Sequence, residues 1–218
     1  VQAKKIVSLY LIIISASRNA KKNMLQKIKR QQCLDCYSKF PLRYYDKSLD
    51  EEIYNDPDTV AHYWLRLETK TKIHRRNLLV SEIVKLYKGL GIERLIFLCD
   101  ANTPWITRNS YNRTDFKHVV KAVEYLKSNK IGVRFNGGVI VEISELSEFI
   151  GHFYVLTWTD ALFSYYNFMD ESQSIIGYIH YDGEVQITPI NEDAKTKFLS
   201  AVKKTQFIDS HRKGTDRI

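Results

Sequence analysis

The side chains best suited to hold an anion lie between Asp100 and His118. The apolar run Arg94 to Cys99 reads as a strand that delivers Asp100 to its carboxyl end, where open α/β sheets place their ligands. The loop beyond it offers Asn102, Trp105, Arg108, Asn109, Tyr111 and Arg113, and His118 lies one turn into the next helix. Arginines beside a helix N-terminus suit a phosphate, because unpaired backbone N–H groups and the helix dipole already favour negative charge there. No glycine-rich phosphate loop accompanies them. The chemistry expected of Asp100, Arg108, Arg113 and His118 is therefore a small-anion, nucleotide or phosphodiester site, against the plainer reading of a loop that buries Trp105 and solvates its charges.

Two other groupings are weaker. Cys33 and Cys36 form a lone CxxC, whereas structural zinc needs two further ligands at suitable spacing and a redox pair belongs at a helix start after a strand. The histidines His152 and His180 fall among carboxylates, but no HxH, DxD or HxxxE spacing joins them. Neither a metal nor another cofactor is expected, and no catalytic constellation is read. Three cysteines are too few for a disulfide scaffold and point to a reducing, cytoplasmic setting.

Charge is the most informative feature. The net charge of +8 is uneven, since residues 1–48 carry 11 Lys and Arg against Asp35 and Asp46, a balance of +9. From Phe135 to Ala194 there is no Lys or Arg, while ten carboxylates give −10. Fields of opposite sign on one chain steer oppositely charged partners. The acidic stretch is also rich in aromatic residues, which anchor interfaces at little entropic cost. The partner surface expected from this pattern comprises Trp158, Asp160, Tyr165, Asp170, Glu171 and Glu184. The bland alternative is neutralisation of those acids by lysines of the first 48 residues.

The elements that must position these groups follow from periodicity. Ile6 to Ile14, after Lys4 and Lys5 and before Ser15, Ala16 and Ser17, has the outline of a signal segment but is too short to span a membrane. It reads as a buried strand or helix, with export as the alternative if residues 4–17 are a signal. Val1 in place of an initiator Met suggests that residues precede it. Arg18 to Gln32 reads as a basic amphipathic helix presenting Lys21, Lys22, Lys27, Lys29 and Arg30, a natural phosphate-binding face. An irregular connection with a short helix near Leu49 to Tyr54 follows.

Leu79, Ile83, Leu86 and Leu90 recur at helical spacing before Gly91, and Phe116, Val119, Val123 and Leu126 do so after Thr114, a good N-cap. With strands at Arg94 to Cys99 and Val139 to Ile143, this predicts a central βαβ unit with parallel strands. From His152 the period changes to two, through His152 to Thr159, Ser164 to Met169, Ser174 to Tyr181 and Glu184 to Ile190. Asp182 and Gly183 signal a type I′ hairpin turn, and Asn191 caps a last helix.

The expected architecture is a single α/β or α+β domain over residues 1–218. It has a basic segment at 1–48, an α/β centre at 72–143, and an antiparallel meander with a final helix at 152–208. Three functional classes are compatible with it. The first is a non-enzymatic protein-binding domain that grips a basic partner, such as an immunity-type inhibitor of a basic toxin or nuclease. The second is a nucleic-acid binder using the basic N-terminal helix. The third is a nucleotide- or phosphodiester-acting enzyme at the Asp100 loop.

Overall fold

The computed structural model describes residues 25–160, 163 and 165–218. The apolar run at 6–14, the proposed signal segment at 4–17, and Lys21 and Lys22 lie outside the described residues. The fold is α+β, and its frame is one antiparallel eight-stranded sheet. The strands are β1 (Gln26–Ile28), β4 (Tyr63–Arg66), β5 (Arg94–Cys99), β6 (Gly138–Glu142), β7 (Tyr166–Asp170), β8 (Ile175–Ile179), β9 (Val185–Pro189) and β10 (Ile208–Asp209). Their order is β1-β6-β5-β7-β8-β9-β4-β10. A separate hairpin pairs β2 (Leu42–Asp46) with β3 (Glu51–Asn55).

Four helices cover one face: α2 (Lys72–Gly89), α4 (Lys117–Ser128), α5 (Leu146–Thr159) and α6 (Glu192–Val202). A one-turn helix, α3 (Arg108–Tyr111), leads into α4. Phe97 lies at the centre of this layer, stacked on Phe168 at 4.9 Å and tilted on Phe149 at 4.6 Å. On the opposite face, α1 (Arg30–Cys36) with Tyr37 and Phe40 covers only the apolar residues Ile96, Leu98, Ile140, Met169 and Ile176. The rest of that face, toward β9 and β4, has no helix over it among the described residues.

Several sequence expectations are corrected here. The two central strands are adjacent but antiparallel, with Ile96 opposite Ile140. The connection between them returns to the end it left: Trp105 donates from its backbone N to Phe135 O at 2.8 Å and from Nε1 to Gly137 O at 2.7 Å. A chain that re-enters where it exited must run back the other way, so the expected parallel pair does not form.

Of the basic helix expected over Arg18 to Gln32, only Arg30 to Gln32 are helical among the described residues. Residues 26–28 pair as an edge strand with β6, and the helix begins at Arg30. Gly138 makes this fit possible, because a Cβ there would lie 2.7 Å from Cys33 Sγ and 2.8 Å from Ile28 Cγ2. Leu49 to Tyr54 is the turn and second strand of the β2–β3 hairpin, with Asp46 Oδ1 accepting from Ser48 N at 2.8 Å as an Asx turn.

His152 to Thr159 belongs to helix α5 rather than to a strand. This helix is buried nearly all round, so its sequence lacks the single apolar stripe that would reveal the 3.6 period. The final hairpin turns where expected but with different geometry. Gly183 alone of the pair has positive φ, at 91°, and its N–H donates to His180 O at 3.0 Å. That is a turn through Tyr181 and Asp182 followed by a left-handed glycine, the three-residue alternative to type I′. Asn191 caps α6 as expected, its Oδ1 accepting from Ala194 N at 2.9 Å.

Candidate functional site

Among the described residues the acidic segment is largely engaged within the fold, and the ion pairs come from Arg94, Arg212, Lys195 and Lys197 rather than from residues 25–48. Arg94 bridges Glu142 at 3.1 Å and Glu171 at 3.0 Å, and Arg212 holds Glu184 at 2.5 Å. Asp182 faces His180 Nδ1 at 2.8 Å and Arg212 at 3.6 Å. Asp170 is buried and accepts the backbone N–H groups of Ser172, Ser174 and Ile175 at 3.0, 2.9 and 2.8 Å. Asp160 accepts from Thr107 Oγ1 at 3.1 Å and Ser110 Oγ at 2.5 Å. Trp158 is on α5 and Tyr165 beyond the opposite face of the sheet, under the Arg43 guanidinium at 3.9 Å. The six predicted partner-surface residues are therefore dispersed, and Asp170 is inside.

The basic expectations also divide. Lys27 is on the edge strand and donates to Lys130 O at 2.9 Å, and Lys29 precedes α1. Arg30 turns inward, donating to Cys99 O at 2.9 Å and Asp100 O at 3.0 Å, and its desolvated guanidinium has a lowered pKa. It ties α1 to the end of β5 and is not a free phosphate ligand. Cys33 is buried, which pushes its thiol up to about 12, and Cys36 is exposed. No group of three His, Cys, Asp or Glu able to hold a metal occurs among the described residues.

Asp100, Arg108, Arg113 and His118 are not brought together either. Asp100 meets Arg43 at 3.4 Å and lines a cavity on the open sheet face, its carboxyl raised chiefly by burial. Arg113 pairs with Asp115 at 2.9 Å and lines a separate cavity with Asp160. Arg108 opens the one-turn α3. His118 instead lines a groove on the helical side, of about 490 Å³, that sequence reading did not find.

This groove lies between the start of α2, the start of α4, the end of α5 and the tip of the β8–β9 hairpin. Thr71 starts α2, its Oγ1 accepting from His74 N at 3.2 Å, and so directs Lys72, Arg75 and Arg76 to the groove. Arg75 is held by Asp182 O at 2.6 Å and Thr69 Oγ1 at 3.3 Å. Arg76 Nε donates to Gly151 O at 2.9 Å, where the small residue lets α2 and α5 approach. Both guanidinium groups thus bond carbonyls, which orient them without cancelling their charge.

Lys72 Nζ stands 4.3 Å from the ring centre of Trp158. Trp158 is 47% exposed, and Ile73 and Tyr181 at the same groove are 71% and 54% exposed. Among the described residues no carboxylate forms an ion pair with Lys72, Arg75 or Arg76, and Asp182, the groove's one acid, is already engaged. The site can bind an anion beside an aromatic face.

His152 lies behind Arg76, stacked on Tyr125 at 4.4 Å between ring centres. Burial first, then the Arg76 charge, lowers its imidazole pKa, with Glu148 opposing and Lys121 assisting. The folded form therefore stays neutral where the unfolded chain takes up a proton, near pH 6.5. Stability should fall as pH drops through that value, and His152→Gln should flatten the slope in urea titrations repeated between pH 7.5 and pH 5.5. An unchanged slope in the variant would assign the acid sensitivity elsewhere.

No family model, curated protein or solved structure matches this chain. Among the described residues no helix is long and apolar enough to cross a membrane.

Proposed function

We propose that the protein is a non-enzymatic binding module for single-stranded nucleic acid, with the α2–α5 groove as its working surface. The observation that carries this reading is the trio Lys72, Arg75 and Arg76 gathered at Trp158 without an acidic counterion among the described residues. Single-strand binders combine a basic groove with aromatic side chains on which bases stack, and they need no base-specific hydrogen bonds. Exposed Lys70, Lys117 and Lys121 extend the positive field on the elements flanking the groove. Duplex readers place a helix or ribbon in the major groove, whereas here the aromatic residues sit in a concavity that suits an unstacked base.

The test is fluorescence anisotropy of labelled oligothymidylate and oligouridylate, about 12 nucleotides long, titrated at several salt concentrations. Binding should weaken with salt along a log–log slope of about −2, the value for three cations each neutralising a phosphate of a single strand. Trp158 emission should be quenched in parallel. Failure with both oligomers, together with binding of oligoglutamate, would replace nucleic acid by an acidic protein.

A basic protein partner is the second reading, and one feature favours it. Glu142, Glu145 and Glu148 cluster around the start of α5, and the Glu145 carboxyl is held up first by burial and then by these two neighbours. A cationic partner would relieve that crowding. Capture of oligolysine, abolished by Glu145→Gln with Glu148→Gln, would support it.

A further inference from the structure

The open sheet face holds a second cavity, of about 420 Å³, unrelated to the helical groove. Its floor is a cross-strand row in which Asn167 on β7 stands opposite Tyr178 on β8, and Tyr178 opposite Gln186 on β9. Cross-strand neighbours of this kind stand about 5 Å apart with their side chains on the same face. One step along the same strands the row reads Ile96, Met169, Ile176 and Thr188. The first three of these are apolar and lie in the cluster beneath α1. The face therefore changes from apolar to polar where its cover ends.

The uncovered part is not flat. Pro41, Pro57 and Thr59 rise as walls, Tyr165 and Asp100 close one end, and His62 stands at the other. The wall groups are fixed in place: His62 lies between Thr59 Oγ1 at 2.9 Å and Thr188 Oγ1 at 3.3 Å, and Asp100 is held by Arg43. The floor groups are not hydrogen-bonded: among the described residues the side chains of Asn167, Tyr178 and Gln186 make no hydrogen bond to protein, although all three are partly buried and the Tyr178 ring packs edge-on to Trp64 at 6.0 Å. Two amides and a phenol offer both donors and acceptors. A solvated sheet surface has no need to set such groups in a walled concavity, whereas a ligand site combines an enclosing shape with a few convergent polar groups.

The charges narrow the ligand class. No Lys or Arg is among the described lining residues, and the nearby guanidinium groups are engaged, Arg43 by Asp100 and Glu52 at 3.4 and 3.3 Å, Arg30 by the Cys99 and Asp100 carbonyls and Arg212 by Glu184, so no free Lys or Arg awaits an anion there. Asp100 is likewise paired, so the buried end presents no free charge to a cation. What remains on the floor are neutral hydrogen-bonding groups spaced across strands, with the rings of Tyr165 and Tyr178 beside them, while the exposed Asp56 carboxylate in the lining disfavours an anion and adds an acceptor for hydroxyls.

We infer that this cavity binds a neutral, polyhydroxylated ring, that is, a small saccharide, with Asn167, Tyr178 and Gln186 hydrogen-bonding its hydroxyls. The cross-strand spacing is comparable to that between hydroxyls on opposite sides of a six-membered ring. Like any phenol, Tyr178 is protonated and able to donate at neutral pH, and burial pushes it further up, to about 12. The site does not depend on the nucleic-acid reading and lies on the other side of the sheet.

The test is a titration of the full chain with glucose, N-acetylglucosamine, spermidine and inorganic phosphate, followed by backbone amide shifts in a nitrogen–proton NMR spectrum. At least one sugar should give saturable millimolar shifts confined to β7, β8, β9 and residues 56–62. Asn167→Leu with Gln186→Leu should weaken that binding about tenfold or more. The gentler Tyr178→Phe should weaken it while leaving the rest of the spectrum in place, which controls for misfolding of the double variant. Oligonucleotide binding, measured on the same variants, should not change. No saturable shift with either sugar, saturation by spermidine or phosphate in their place, or undiminished sugar binding by Tyr178→Phe would each overturn the assignment.

Discussion

Replacing Asp170 by Ala is expected to destabilise the fold by about 2–3 kcal/mol, since a buried donor left unpaired costs about 1–3 kcal/mol and three donors lose their acceptor, one of them buried and two partly so. The three are the backbone N–H groups of Ser172, Ser174 and Ile175, which converge on the two carboxylate oxygens together with the Ser172 and Ser174 hydroxyls. Asp170 itself is 3% exposed, at the end of β7, and the chain from Glu171 to Ser174 winds around it with Gln173 at a positive φ of 56°. Water can reach the Ser172 N–H, but the Ile175 N–H is buried, on the side of the core where the Tyr87 hydroxyl is also buried without a hydrogen-bond partner among the described residues. Asp170→Asn retains one acceptor oxygen and should lose roughly half as much. Urea unfolding of the three proteins should rank them wild type, Asn, Ala at an unchanged slope. An Ala variant within about 0.5 kcal/mol of wild type, the usual effect of a surface change, would mean that the turn holds without its carboxylate.

Asp170 also shows where sequence reading stops. Its place in a 60-residue stretch without Lys or Arg makes it look like part of a charged surface. Its partners are backbone N–H groups and hydroxyls, which no charge count includes. Glu171 and Glu184 mislead in the same way, because Arg94 and Arg212 lie outside the segment and reach it only through the sheet order. Local signals fared better. The Leu79, Ile83 and Leu86 stripe, the Arg94–Cys99 run, the Asp182–Gly183 turn and the Asn191 cap are all properties of a few adjacent residues, and each appears where the sequence puts it.

Elements decided by distant contacts were not legible. β1 exists because β6 has a free edge, α5 hides its period by being buried on nearly every side, and β5 pairs antiparallel with β6 because the Trp105 loop folds back. The groove was illegible for the same reason. Lys72, Arg75 and Arg76 sit in an ordinary-looking helix start, and Trp158 and Tyr181 are far along the chain. Only the packing of α2 on α5, with the hairpin tip across them, converts a routine charge run into a site.

That groove carries the second large effect. Trp158→Ala combined with Lys72→Glu should reduce affinity for oligothymidylate by about 100-fold or more, since one base–aromatic stack is worth about 1–3 kcal/mol and the new carboxylate repels a phosphate. The salt slope should become shallower by about 0.7, because one counterion-releasing contact with a single strand is lost. Both side chains are exposed, so unfolding should shift by no more than about 0.5 kcal/mol. Separating the changes assigns the terms: Trp158→Ala alone should weaken binding equally at every salt concentration, whereas Lys72→Glu alone should matter most at low salt. Arg75 is a poor first choice, because its bond to Asp182 O also anchors the hairpin tip and its loss would confound binding with repacking. If the double variant binds the oligomer within a factor of two of wild type, the nucleic acid is held elsewhere and the groove reading fails.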